Sequence, residues 1–226
     1  MKKLFFSLII LAIAANGFSA NNDSLSRNLD SFHALVVFGN IKVSLIKADQ
    51  PSVIITSKSY DISKVTTMVE KGKLTLKSNA IGDEKEVMVT LYYKTLDNIK
   101  VDAGANIVST DTLKAINLTL KLVKGSLMRG IVKTENLIIT LTQGSEARLS
   151  GTTNELSVTS NSGSFFDSYS LISQTADVVA NTGGKVNLYV KKKIKAKAKM
   201  GSVINYKGAP RIESVEPTMG GVINKL

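Results

Sequence analysis

The sequence predicts an all-β protein, a parallel β-helix of about 19 residues per coil preceded by an irregular β region, and three observations carry that prediction. Seven glycines, Gly104, Gly125, Gly144, Gly163, Gly183, Gly201 and Gly220, recur at intervals of 21, 19, 19, 20, 18 and 19 residues. A near-constant period of this length marks a stack of similar supersecondary units. When the segments are aligned on these glycines, apolar residues fall into fixed columns at steps of two, the spacing of one buried strand face. Each glycine is also followed by a small residue: Ala105, Ser126, Ser145, Ser164, Gly184, Ser202 and Gly221.

Residues 1–20 read as a secretory signal. Lys2 and Lys3 precede the uncharged apolar run Leu4 to Ala15, and Asn16 to Ala20 is polar and mostly small; the run is too short to span a bilayer. Cleavage after Ala20 leaves Phe18 at the third position back, whereas cleavage after Ser19 leaves Gly17 there, so the cut site stays open. An exported protein without a transmembrane segment in its mature chain is expected, in the periplasm or at the cell surface. The chain contains no cysteine, which excludes a lipoprotein anchor, disulfides and thiolate chemistry. Loss of Lys2 and Lys3 takes the formal charge from +11 to +9. A chain this basic suits acidic partners, such as envelope glycolipid, polyanionic polysaccharide or nucleic acid, with no specific nucleic-acid partner expected; solubility alone accounts for the charge equally well.

Residues 21–31 are polar and read as a flexible leader. Residues 32–98 form an N-terminal β region without a fixed period, with strands expected at Leu35–Phe38, Ile41–Leu45, Val53–Ile55, Lys73–Leu76 and Val87–Leu91. Asp61 to Glu70 is the one candidate helix, weakened by its β-branched residues. Residues 99–226 form the coils, and 32–226 is expected to be one continuous domain. Five residues before each glycine stand Ile99, Leu120, Ile139, Val158, Val178, Ala196 and Val215, and three after stand Ile107, Met128, Ala147, Phe166, Val186, Ile204 and Ile223. A single period has nowhere to bury such a stripe, and stacking aligns the stripes into a core. Glycine suits the corner because it reaches backbone angles that a Cβ forbids. A right-handed coil is expected from the rule for parallel crossovers. Antiparallel hairpins in a sandwich would also repeat strands and turn glycines and stand as the alternative, while a strict hexapeptide left-handed helix fits the wandering period less well.

The repeats Thr142-Gln-Gly-Ser145, Asn161-Ser-Gly-Ser164, Asn181-Thr-Gly-Gly184 and Lys199-Met-Gly-Ser202 resemble those of the bacterial autotransporter-adhesin "head GIN" domain family. An opening like Phe38-Gly-Asn-Ile-Lys-Val43, a segment like Gly72-Lys-Leu-Thr-Leu76 and a close like Asn205-Tyr-Lys-Gly-Ala-Pro210 extend the resemblance over roughly residues 32–225. It implies a β-helical fold similar to pectin-lyase-like proteins without their catalytic residues, and a cell-surface or adhesion role. Asp102-Ala-Gly-Ala105 and Val123-Lys-Gly-Ser126 depart from the repeat.

Catalysis finds few parts in this sequence, and no catalytic, cofactor or metal residues are expected. His33 is the one histidine, so Ser-His catalysis and histidine metal sites lack partners. Gly144-Ser-Glu-Ala-Arg-Leu-Ser-Gly151 lacks the Lys-Ser/Thr ending of a phosphate loop. A polysaccharide-active β-helix would need convergent carboxylates, and Glu135 and Glu155, ten and eleven residues after their glycines, are the nearest pair. Asn161 and Asn181 share an outward column, as a hydrogen-bond ladder or a sugar surface. Phe165, Phe166, Tyr169, Tyr189 and Tyr206 offer rings for stacking, although Phe166 falls in an inward column. The most distinctive outward feature is Lys191 to Lys199: alternation points Ile194, Ala196 and Ala198 inward and Lys193, Lys195, Lys197 and Lys199 outward, at a spacing of about 7 Å. Such a stripe is a candidate contact for phosphate or carboxylate arrays, or a charged strand that blocks aggregation. The leading expectation is an exported, non-enzymatic, adhesin-like surface or envelope module that binds anionic surfaces or glycans. A polysaccharide-active enzyme and a structural stalk or assembly subunit are the alternatives.

Overall fold

A computed structural model describes residues 24–80 and 85–226; the signal expected over residues 1–20 lies outside them. The described chain forms sixteen strands in one hydrogen-bonded sheet wound on itself. In chain order they are β1 (Ser24–Asn28), β2 (Ala34–Phe38), β3 (Ile41–Lys47), β4 (Ser52–Ser57), β5 (Thr66–Glu70), β6 (Lys73–Lys77), β7 (Val87–Tyr93), β8 (Asn98–Asp102), β9 (Asn106–Val123), β10 (Leu127–Thr142), β11 (Glu146–Ser160), β12 (Phe165–Ala180), β13 (Lys185–Lys199), β14 (Val203–Lys207), β15 (Arg211–Thr218) and β16 (Val222–Lys225). Each of β9 to β13 holds the strand after one turn, a bend, and the strand before the next. Consecutive coils pair in parallel, one period apart: Leu118, Leu137, Leu156, Ala176 and Ile194 stand side by side, as do Leu120, Ile139, Val158, Val178 and Ala196. This is a β-solenoid, and the parallel pairing removes the sandwich alternative.

The glycine corners share one geometry. At every level the residue before the glycine also has positive φ: Ala103, Lys124, Gln143, Ser162, Thr182, Met200 and Met219, between 48° and 57°. Two successive positive-φ residues define a type I′ turn, and at five levels the closing i+3 to i bond is present, as from Ser164 N to Asn161 O at 3.2 Å. A Cβ on Gly144 would meet nothing within 4 Å, so these positions need glycine for its φ and not for space. The small residue that follows has a separate cause. Ser145 Oγ accepts from Thr142 N–H at 3.0 Å and donates to Leu122 O of the previous coil at 2.9 Å. Ser126 and Ser202 repeat both bonds. At Gly184 a Cβ would fall 2.3 Å from Ser160 O, so that level excludes any side chain.

The interior is apolar and close-packed. Within the coils every column named above is buried until the last level, where Val215 and Ile223 are half-buried. Volumes trade within a level: Leu141 shares its coil with Ala147, and Ser160 shares the next with Phe166, all four fully buried. Constant total volume is what a core of fixed cross-section requires.

The N-terminal half differs from the sequence reading in three places. Residue 98 is not an architectural boundary, because β2–β3 stacks directly on β8–β9, with Leu35 beside Ile99 and Val43 beside Ile107. The β6–β7 pair stacks on the opposite side of β2–β3. These are coils too, but the chain lays down β2–β3, leaves, and returns one level outside it, so spatial order and chain order diverge and no period results. Antiparallel β5 on β6 and β4 on β7 close this end. Within the supposed leader, Ser24–Asn28 is β1, paired antiparallel with β4. Asp61 to Glu70 is not a helix but a 3₁₀ turn over Ile62–Lys64 and strand β5, as Val65, Thr66, Thr67 and Val69 favour.

The inward columns predict opposite outcomes for adjacent residues. Ile139→Asp or Leu141→Asp strands a buried carboxylate and is expected to cost about 3 kcal/mol or more, whereas Thr140→Asp, on the outer face, stays within about 0.5 kcal/mol; urea melts of the three variants measure the difference. For the corners, Gly144→Ala is expected to cost about 1–2 kcal/mol for its left-handed backbone, and Gly184→Ala to cost more because the collision is with backbone. Equal thermal shifts for the two glycines would contradict that division.

Candidate functional site

In β13 the small side chains of Ala196 and Ala198, with Ile194, are fully buried, while Lys193, Lys195 and Lys199 are exposed and Lys197 is half-buried. The four lysines project from one face of a single strand. The neighbouring coils set the electrostatics around them. Lys195 lies beside Asp177 on one side and Ser214 on the other. Lys197 Nζ pairs with Glu216 Oε2 at 3.0 Å, and Ser214 Oγ donates to the other oxygen of that carboxylate at 2.6 Å. Those contacts hold the Glu216 carboxyl below the usual glutamate value, the Ser214 hydroxyl being the larger cause and Lys197 the next. Lys193 and Lys195 border a shallow groove of about 590 Å³ that runs past Thr175, Asp177 and Glu155 to Asn136. The lysines therefore form the cationic end of a mixed face.

The other sequence candidates are distributed differently. Glu135 and Glu155 are both exposed and do not converge: Thr134 pairs with Thr153 and Asn136 with Glu155, so Glu135 stands beside Asn154 and accepts from its side-chain amide. They lie on two different grooves. No group of three His, Cys, Asp or Glu suited to a metal ion occurs among the described residues. His33 Nδ1 lies 3.0 Å from Asp97 Oδ1, both side chains about half exposed, and the pair ties the approach to β2 to the approach to β8. Asn161 and Asn181 form no side-chain ladder; each leaves a buried Oδ1 without a protein partner. Phe166 and Tyr206 are core, so Tyr206 offers no ring to a ligand, while Phe165, Tyr169 and Tyr189 are half-buried on the outside.

The ladder the sequence reading missed stands four residues after the glycines. Asn224 Nδ2 donates to Asn205 Oδ1 at 2.9 Å, Asn205 to Asn187 at 3.0 Å, and Asn187 to Asp167 Oδ1 at 3.0 Å. Asp167 fixes the direction, since a carboxylate only accepts. The alignment that exposed the inward columns contained this outward one, and its signal was an unbroken Asp-Asn-Asn-Asn run.

Residues 31–210 match the family described as "Putative auto-transporter adhesin, head GIN domain". The chain belongs to this family. A "putative adhesin" of Bacteroides fragilis NCTC 9343 in the same fold superposes with a TM-score of 0.80 at 17% identity, over 90% of this chain and 97% of that one. A "putative adhesin" of Parabacteroides merdae ATCC 43184 gives 0.71 at 18% identity, over 90% and 95%. A "putative lipid binding protein" of Parabacteroides distasonis ATCC 8503 gives 0.65 at 16% identity, over 91% and 98%. At these identities the likeness is one of fold. No curated protein matches the chain. Among the described residues no helix is long and apolar enough to cross a membrane.

The Glu216 contacts predict a pH response. Because its folded value is lowered, whatever stability this contact gives is present above the unfolded glutamate value and is lost as pH falls through the folded one. In an NMR titration Glu216 should titrate below an unpaired glutamate, and Ser214→Ala should raise its midpoint more than Lys197→Gln does. The reverse order would make the lysine the controlling partner.

Proposed function

We propose that the protein is an exported, non-enzymatic module of the cell surface or envelope that binds anionic surfaces or glycans, with Lys193, Lys195, Lys197 and Lys199 as its contact. Family membership supports the adhesive class. The observation that carries the finer reading is the separation of labour in the last stretch of β13: between Lys193 and Lys199 four cationic side chains face outward, while Ile194, Ala196 and Ala198 face inward. Charges on such a strand add to a field that concentrates anions near the surface and weakens with salt. A neighbour in fold is named as lipid-binding, and an anionic headgroup and an acidic glycan present the same charge to this face. An enzymatic reading would need Glu135 and Glu155 in one groove, and they occupy two.

The lysine face yields a direct experiment. Changing Lys195, Lys197 and Lys199 together to Glu shifts the local charge by six units without touching a core contact, so the melting temperature should hold within a few degrees. Binding to anionic glycolipid vesicles or sulfated polysaccharide should be lost, and wild-type affinity should fall steeply between low and physiological salt. Wild-type protein that binds neither probe, or a variant that binds as well as wild type, overturns the assignment.

A further inference from the structure

A second concavity lies on the outer side of the strands that follow the glycine turns, on the other side of the bend from the lysine stretch of β13. It holds about 530 Å³ and is lined by Arg129, Ile131, Arg148, Ser150, Asp167 and Tyr169 among others. Arg129 and Arg148 are in-register neighbours on β10 and β11, which sets their Cα atoms about 4.8 Å apart. Two like charges at that spacing need compensation, and only one receives it. Arg148 pairs with Glu146 of its own strand, whereas the Arg129 guanidinium has neither a hydrogen bond nor an ion pair with any described residue. The next level supplies Asp167, whose carboxylate already accepts from Asn187 and keeps lone pairs for other donors. Beyond it, Lys207 Nζ sits 4.5 Å from the centroid of the Tyr169 ring, a cation–π contact that fixes the ring at the wall of the groove.

We infer that this groove is a binding site for a carboxylate-bearing sugar. The Arg129 and Arg148 guanidiniums take the carboxylate, Asp167 and Ser150 take ring hydroxyls, and Tyr169 with Ile131 covers the apolar face of the pyranose. Each feature answers a different part of such a ligand. The guanidinium fork matches a planar carboxylate in two parallel hydrogen bonds. The mixture of one acidic acceptor with two donors suits a molecule that carries hydroxyls as well as a negative charge, and would be wasted on a simple anion. Burial, and next the Asp167 carboxylate, raise the Tyr169 phenol above its ordinary value. The site is independent of the lysine strand, and its ligand is recognised by shape as well as charge.

Isothermal titration of the mature protein with trigalacturonate tests it, with the methyl-esterified trisaccharide as control. Wild type should bind the acid at physiological salt and the ester at least tenfold more weakly. Arg129→Gln should weaken the acid at least tenfold. Arg129→Lys, which keeps the charge and loses the fork, should weaken it nearly as much. Tyr169→Leu should weaken acid and ester alike, and if that variant melts earlier the Arg129→Lys comparison decides. The lysine variant of the preceding section should bind trigalacturonate within about threefold of wild type, which separates failure of one site from failure of the other. Absence of wild-type binding, equal affinity for acid and ester, or full affinity in Arg129→Lys overturns the inference.

Discussion

Successive coils of this protein are bonded through equivalent residues in parallel register on both sides of each bend, interrupted only by bulges within the bends, and that constraint sets the rest of the structure. The turns show it most directly. Gly104 N–H donates to Lys124 O of the next turn at 3.0 Å, Gly125 to Gln143 at 2.9 Å, Gly144 to Ser162 at 3.0 Å, Gly163 to Thr182 at 3.1 Å, Gly183 to Met200 at 3.0 Å and Gly201 to Met219 at 3.2 Å. Six links join seven corners, so no corner can change shape alone. The residue before each glycine bears a Cβ and still adopts positive φ, a strain on the order of 1 kcal/mol each. The strained state persists because the i+3 bond, the inter-turn bond and, where serine follows, the Oγ bridge all require the same backbone. A sequence that must repeat one conformation seven times therefore repeats its glycine, and tolerates Ala, Lys, Gln, Ser, Thr or Met beside it.

The same constraint makes core volume a property of a level and surface chemistry a property of a column. Inside, each coil must fill the same cross-section, so a large residue at one position is matched by a small one across the level, as with Phe166 and Ser160. Outside, no such conservation applies, and a column is free to read Val108, Arg129, Arg148, Asp167, Asn187, Asn205, Asn224 in turn. The amide ladder and the arginine groove are successive stretches of that one column. Lys197 can pair with Glu216 for the same reason: neighbouring coils place whatever they carry about 4.8 Å apart. Surface function in this architecture is written along the axis, while the fold is written across it.

That division explains which parts of the molecule could be read from sequence. The period, the inward columns from Ile99 to Ala198 and the outward aim of the β13 lysines are periodic features that register makes visible. The coils β2–β3 and β6–β7 carry the same inward alternation, at Leu35, Val37, Leu74 and Leu76, but their order in space is not their order in the chain, and no local pattern encodes that excursion. Strand β1 is polar and short, and its assignment depends on the edge of β4 being open to receive it. Tyr206 was misplaced because its buried column, five residues after the glycines, mixes Ser109 and Ser168 with Leu149 and Leu188 and so carries no uniform apolar signal. The Asn161 and Asn181 ladder failed for a related reason: at a type I′ corner the backbone leaves the plane of the strand, so adjacent side chains no longer face each other as they do four residues further on.

The two ends of the stack differ, and the difference bears on how such a module works. At one end β1, β4 and β5 lie antiparallel against the first coils and cover them. At the other, β15 and β16 leave Val215 and Ile223 half-buried, with Glu216 and Pro217 exposed on the outermost strand. Proline removes a donor from that edge and the glutamate adds charge, which are the means by which natural sheets discourage another strand from pairing. The lateral faces, where the axial columns lie, carry both of the contacts proposed above. A ligand extended along the axis would then meet successive rungs at a constant spacing. Contacts that are individually weak would act together on one chain, and linked contacts raise avidity far beyond any single one when geometry allows them to engage at once.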